Sequence, residues 1–200
     1  PESADLLVGE IGHFDAIVIG PAMGEEKTAR ALLAALLPRL PKHLFLLLDA
    51  AALRVAADHA AAIAARGDQI VLTPHEGELA ALLRAEREEV SRDPLAALAR
   101  AQDRFGAAVM VKGATSYLIA DDICLSYAGG GSGLAVSGSG DVLAGLIGGL
   151  GAQGLSPLQA SAWGIWLHGE AGRRLGETMG PIGYLASELA PLIPSLMRGV

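Results

Sequence analysis

Cysteine is nearly absent from this chain: Cys124 is the only one in 200 residues. No disulfide framework or cysteine-built zinc site can form within these residues, and a reducing compartment is expected. Cys124 itself reads as a small, half-buried strand side chain rather than a catalytic thiol. Aromatic residues (4%) and charged residues (18%) are also scarce, whereas 52% are hydrophobic. That balance excludes disorder and favours an α/β protein over an aromatic-rich β-sandwich. Basic residues are outnumbered, 15 against 22 acidic ones for a net charge of −7, and they form no stripe. Nucleic-acid binding is therefore disfavoured. A nucleotide remains an acceptable ligand, because backbone N–H groups can hold phosphate without a basic surface. Long hydrophobic runs are missing as well. The most apolar stretch, Val142 to Ala152, is glycine-rich and too short to span a bilayer. Pro1-Glu2-Ser3-Ala4-Asp5 is polar and acidic, unlike a signal peptide. The expectation is a soluble, cytoplasmic protein without a membrane partner. No initiator Met precedes Pro1, so a fragment is also expected.

Apolar runs alternate with helical patterns along the chain. Residues 15–19, 44–48, 70–72 and 108–111 read as buried strands, each ending in a polar or turn-forming residue. Residues 117–120 and 123–127 read as a hairpin around Asp121-Asp122. Helical spacing covers 26–37, where Ala29, Leu32, Leu33 and Leu36 share a face before Pro38, and also 76–83 and 94–105. Two apolar helices follow at about 141–150 and 157–175, with a last amphipathic segment at 187–197. Strands alternating with helices imply a mostly parallel sheet covered on both faces, in one domain. Ligands bind such sheets beyond the carboxyl ends of the strands. Asp49, Thr73, His75 and Lys112 all fall at or just after strand ends.

Gly138-Ser139-Gly140-Asp141 opens an apolar helix and carries the strongest chemical signal. Its glycines let the backbone approach a ligand, and a helix start presents unpaired N–H groups with partial positive charge. Together these make an oxyanion or phosphate site. An acid at its mouth, Asp141, is placed to deprotonate a hydroxyl attacking phosphorus, or else simply caps the helix. The tetrapeptide alone leaves the two evenly matched. Gly129-Gly130-Gly131, read as part of a larger mobile loop, tips the balance toward function.

The other candidates carry similar alternatives. His75, in Thr73-Pro74-His75-Glu76, hydrogen-bonds a ligand, or the segment is a capping box of Thr73 with Glu76; both can hold together. Lys112 through Ser116 meets a nucleotide, or Lys112 is a surface lysine at a turn. Asp49 orients a ligand or a metal-bound water, or caps the next helix. His168 fits a hydrogen-bonded core histidine better than a ligand. No P-loop, dinucleotide-binding glycine fingerprint, zincin pair or Gly-x-Ser-x-Gly elbow occurs in the sequence.

Singly weak, these segments are distinctive in order: Val-Ile-Gly-Pro-Ala-Met-Gly (18–24), Leu-Asp-Ala (48–50), Leu-Thr-Pro-His-Glu-Gly-Glu (72–78), Val-Lys-Gly-Ala-Thr-Ser (111–116) and Ser-Gly-Asp-Val-Leu-Ala-Gly (139–145). From about Ile17 to the end, the chain resembles the ADP/ATP-dependent NAD(P)H-hydrate dehydratases of the ribokinase-like superfamily. The resemblance implies a three-layer ribokinase-like α/β fold, lacking its N-terminal strands in this chain. It implies repair of NADH and NADPH hydrated on the nicotinamide ring, with ADP as co-substrate (ATP as an alternative) and Mg2+ bridging its phosphates with few direct protein ligands. By the same resemblance Gly24, His75 and Asp141 contact the hydrated dinucleotide. Lys112, Gly113, Ala114, Thr115, Ser116 and Gly140 line the adenine-nucleotide site. Gly138, Ser139, Gly140 and Asp141 form the catalytic turn, with Asp141 as base. A homo-oligomer, and in longer relatives fusion to an epimerase domain, are implied too.

The chain departs from the family pattern at Ala22, where glycine is usual, and at Ala51, where a second acid is usual. Gly130-Gly131-Ser132-Gly133 replaces Gly-Asn-Pro-Gly, and Val136 and Ser137 replace threonine and glycine. Two other readings remain at this level: a small-alcohol kinase of the same fold, and a non-catalytic nucleotide-binding domain.

Overall fold

The apolar runs at 45–48, 70–72 and 108–111 are strands buried on both faces, whereas in the run at 16–19 only Ile19 is fully buried and Val18 is exposed. The structure, a computed structural model, describes residues 2–199. Among them six strands form one sheet: β1 (Ala16–Ile19), β2 (Phe45–Leu48), β3 (Ile70–Leu72), β4 (Ala108–Val111), β5 (Ser116–Ala120) and β6 (Ile123–Tyr127). Their spatial order is β1-β2-β3-β4-β5-β6, with β1 to β4 parallel and β5 and β6 antiparallel. Phe45, Leu47, Val71, Ala108 and Met110 point to one core, whereas Leu46, Leu48, Ile70, Leu72, Val109 and Val111 point to the other. A period of two with both faces apolar is what makes a buried parallel strand a continuous hydrophobic run.

The helices are α1 (Glu2–Ile11), α2 (Glu26–Leu36), α3 (Ala50–Ala56), α4 (Ala60–Ala64), α5 (Glu76–Leu83), α6 (Arg87–Arg92), α7 (Pro94–Phe105), α8 (Ser139–Ala152), α9 (Pro157–Met179) and the single turn α10 (Ile193–Leu196). One core packs α2, α3, α5 and α7 on the sheet through Leu33, Leu53, Leu79, Leu98 and Phe105. The other packs α8 and α9 through Leu143, Ile147, Leu167 and Leu175. The result is the expected helix–sheet–helix architecture. A Cβ on Gly148 or Gly151 of α8 would lie 2.5 Å from Val18 or from the Phe45 ring. Glycine there lets α8 lie directly on β1 and β2.

Several elements escape the periodicity argument. The α3–α4 region is mostly alanine, a strong helix former that offers no contrast between a buried and a solvated face. Helix α6 is short and charged, with Val90 its buried residue. The segment 187–197 breaks into 3-10 turns and α10, with Pro191 and Pro194 interrupting it. Cys124 is exposed rather than half-buried, because β6 is the antiparallel edge strand. No described helix is long and apolar enough to cross a membrane.

Candidate active site

The carboxyl ends of β1 to β4 converge on one edge of the sheet, and each delivers a turn to it. Gly20, just after β1, is held at φ +121°, and a Cβ there would lie 1.7 Å from the Asp49 carbonyl oxygen. Only glycine lets these two strand ends approach so closely. The following loop carries Ala22 at φ +58°, in the left-handed region that disfavours any residue with a Cβ. Ala50, beside Asp49, is held at φ +45°. Replacing Ala22 with the usual glycine relieves this strain, offset in part by the greater freedom of glycine in the unfolded chain. We expect Ala22→Gly to stabilise the protein by about 0.5–1 kcal/mol, read as a thermal midpoint raised by about 2–3 °C. An unchanged or lower midpoint would contradict this account of the loop. Gly24 closes the same loop with open space around its Cα.

Asp49 follows β2 and is 2% exposed. It stands at the start of α3, but its side chain makes no capping bond. Its Oδ1 instead lies 2.7 Å from Lys112 Nζ, at the end of β4, on a side chain only 21% exposed. Lys112 is therefore no surface lysine. Its amide donates to the Pro74 carbonyl at 2.8 Å, extending the β3–β4 pairing past the strand ends. Lys112 Nζ also lies 3.5 Å from where a Cβ on Gly140 would stand, which joins the β4 end to the turn before α8. Gly113, Ala114 and Thr115 form the bend from Lys112 into β5, and Ser116 opens that strand.

Thr73 is buried, and its hydroxyl donates to the Leu48 carbonyl at 3.4 Å. The capping box expected from Thr73 and Glu76 is displaced by two residues. His75 caps α5, its Nδ1 accepting from the Gly77 and Glu78 amides at 3.0 and 3.3 Å, while Glu78 accepts from the His75 amide at 3.0 Å. Pro74 and the bridge to Lys112 keep the chain extended through His75, so the helix starts later. With Nδ1 accepting twice, Nε2 carries the hydrogen, on a side chain 61% exposed.

Helix α8 begins at Ser139, two residues before its expected start, with Gly138 at φ +85° as its N-cap. Asp141 is thus the third residue of the helix, exposed and not its cap. Ser139 is buried, and its hydroxyl oxygen lies 3.0 Å from His168 Nε2 of α9. The glycine loop upstream is seated rather than loose: Gly130 packs on Leu134 and Gly169, and Leu134 on Gly172. The small residues of α9 carry it.

Burial pushes the His168 imidazole from its ordinary 6.5 down to about 4; the bond to the Ser139 carbonyl opposes this and the charge of Lys112 adds to it. A depressed histidine pKa stabilises the fold fully above about 6.5, and that contribution disappears as the pH falls to about 4. At about 1.4 kcal/mol per pH unit, the loss between pH 7 and pH 4 approaches roughly 3 kcal/mol. Urea unfolding across this range should show a shallower decline for His168→Gln than for the native chain, and parallel declines would refute the assignment.

The edge thus brings together a glycine-capped helix start, an ion-paired lysine beside it, an exposed carboxylate in the first turn of that helix and an exposed histidine next to the lysine in the β3–β4 pairing. Among the described residues no group of three or more His, Cys, Asp or Glu is placed to hold a metal.

Residues 2–195 match the family model described as NAD(P)H-hydrate dehydratase. The chain is 38% identical over 184 residues to the ADP-dependent (S)-NAD(P)H-hydrate dehydratase of Xanthomonas campestris, covering 92% of this chain and 61% of that protein. It is 32% identical over 201 residues to the bifunctional NAD(P)H-hydrate repair enzyme Nnr of Moorella thermoacetica, covering 100% of this chain and 37% of that protein. The chain therefore spans about three fifths of the first relative and just over a third of the second. A ribokinase-like superfamily protein from Enterococcus faecalis superposes with TM-score 0.86 at 26% identity, over 99% of this chain and 68% of that one. An ADP/ATP-dependent NAD(P)H-hydrate dehydratase from Bacillus subtilis, co-crystallised with ATP and Mg2+, shares the fold at TM-score 0.77 and 22% identity, over 92% of this chain and 64% of that one. With the family model spanning nearly its whole length, the chain belongs to the NAD(P)H-hydrate dehydratase family.

Proposed function

We propose that this chain carries the catalytic edge of an ADP-dependent dehydratase acting on hydrated NADH and NADPH. The observation that supports it best is the approach of Lys112 to Gly140 in the first turn of α8, the turn that carries Asp141, in a chain of this family. Asp141 takes the proton of the ring hydroxyl, whose oxygen attacks the terminal phosphorus of ADP, and the bond to AMP breaks. The new phosphate ester leaves with its C–O electron pair, pushed by the ring nitrogen. Loss of a ring proton then restores the double bond, and the products are the reduced dinucleotide, AMP and phosphate.

Each side chain has a defined part in this reading. The N–H groups of Gly138, Gly140 and Asp141 meet the phosphoryl oxygens, where preorganised donors stabilise developing charge; the Ser139 N–H is already given to the Val136 carbonyl at 3.2 Å. Lys112, held by Asp49, adds a fixed positive charge, and the bend from Gly113 to Ser116 lies against the nucleotide. His75 Nε2–H and Gly24 face the dinucleotide. The donor set fits magnesium carried on the nucleotide phosphates rather than in a protein cage, and such a metal would neutralise phosphate charge.

The test is to incubate the protein with hydrated NADH and ADP and follow the absorbance of the reduced nicotinamide. Recovery of that band with formation of AMP is expected. A stable phosphorylated small alcohol, with no activity on hydrated nicotinamide, would replace this reading with a kinase. ADP binding without any turnover would reduce it to a nucleotide-binding domain.

A further inference from the structure

His168 lies outside every role assigned above, yet it is 7% exposed and touches the turn directly. Its Nε2 is 3.1 Å from the Ser139 carbonyl oxygen and 3.0 Å from the Ser139 hydroxyl. A carbonyl has no hydrogen to give, so Nε2 must carry the one in that contact. The peptide between Ser139 and Gly140 is planar, with its C=O and N–H pointing in opposite directions. Fixing the carbonyl therefore fixes where the Gly140 N–H points. We propose that His168 is a positioning residue, which holds the Ser139 carbonyl and so aims the Gly140 N–H into the anion turn.

Two further features agree. The imidazole is neutral at ordinary pH, so its effect on the turn is one of direction rather than charge. The same stretch of α9 seats the glycine loop through Gly169 and Gly172. Helix α9 thus buttresses both sides of the helix start from below.

The inference rests on the reading that the turn receives the terminal phosphate of ADP, and AMP lacks that group. Calorimetric affinities for ADP and AMP should be compared in the native protein, His168→Leu and His168→Gln, whose amide N–H can replace Nε2–H. In His168→Leu, ADP should weaken about tenfold and AMP by no more than about twofold, the scale of a lost buried hydrogen bond. His168→Gln should return ADP to within about threefold of the native value. Should His168→Leu not fold in a thermal melt, His168→Asn, too short to reach Ser139, takes its place. Parallel weakening of both nucleotides, or a Gln variant as poor as Leu, overturns the positioning role. If the native protein fails to dehydrate hydrated NADH while the ADP-specific loss appears and is rescued, positioning stands and the dehydratase reading falls. If the native protein turns over and His168→Leu keeps its full ADP affinity, the converse holds.

Discussion

Asp141→Asn should lower turnover of hydrated NADH by about 10²–10⁴-fold, the usual contribution of a positioned general base. The amide keeps the shape of the side chain but cannot take a proton. What makes this substitution informative is the start of α8 at Ser139 and its cap at Gly138. Since Asp141 is not the cap, its replacement removes no hydrogen bond from the helix start. The remaining cost is the attraction of a carboxylate to the helix N-terminus, about 0.3–1 kcal/mol at an exposed position. The thermal midpoint should therefore move by only a few degrees, and the ADP affinity should stay within about threefold. Turnover, melting and ADP calorimetry on one preparation check all three. Unchanged turnover would remove Asp141 from the base role. Loss of ADP binding together with turnover would make it a ligand contact instead.

Gly20→Ala should have the largest effect on the fold itself. The added methyl would stand 1.7 Å from the Asp49 carbonyl oxygen, on a backbone already at φ +121°. Relief requires the end of β1 or of β2 to move, and neither is a flexible side chain. Overpacking and the disfavoured backbone together cost about 3–5 kcal/mol. For a domain of this size that lowers the thermal midpoint by about 10–15 °C. Displacing Asp49 also displaces Lys112, so the fraction that remains folded should bind ADP poorly. Gly24→Ala is the matched control, because nothing lies within 4 Å of its added methyl. It should melt within about 2 °C of the native protein, the range of an unconstrained surface substitution. Equal melting of Gly20→Ala and the native chain would mean that β1 and β2 do not approach as described.

Both expectations draw on features that the sequence made visible and on others that it did not. Four short apolar runs, each ending in a polar or turn-forming residue, were enough to predict the parallel strands and the edge at which their carboxyl ends gather. Burial on both faces leaves few alternatives to Val, Ile, Leu and Ala in such strands. Gly138-Ser139-Gly140-Asp141 was legible for the same local reason: the glycines and the helix start are neighbours in the chain. The alanine-rich helices were not, because alanine marks no face. The capping of α5 went to His75 rather than Thr73 because the β3–β4 pairing continues through Pro74 and Lys112. No short window of sequence contains that pairing.

The sequence by itself determined which segments are strands, where the chain turns, and that a glycine turn opens an apolar helix at the strand-end edge. Only the tertiary structure decided the partners. It paired Asp49 with Lys112, 63 positions away, and His168 with Ser139, 29 positions away. It also seated the glycine loop on α9 instead of leaving it loose. The division has one physical cause. Backbone preferences and apolar periodicity act over a few residues and are written locally. A buried carboxylate or imidazole is satisfied by whatever group the packing of distant elements brings within 3 Å, and that depends on the register of the whole sheet.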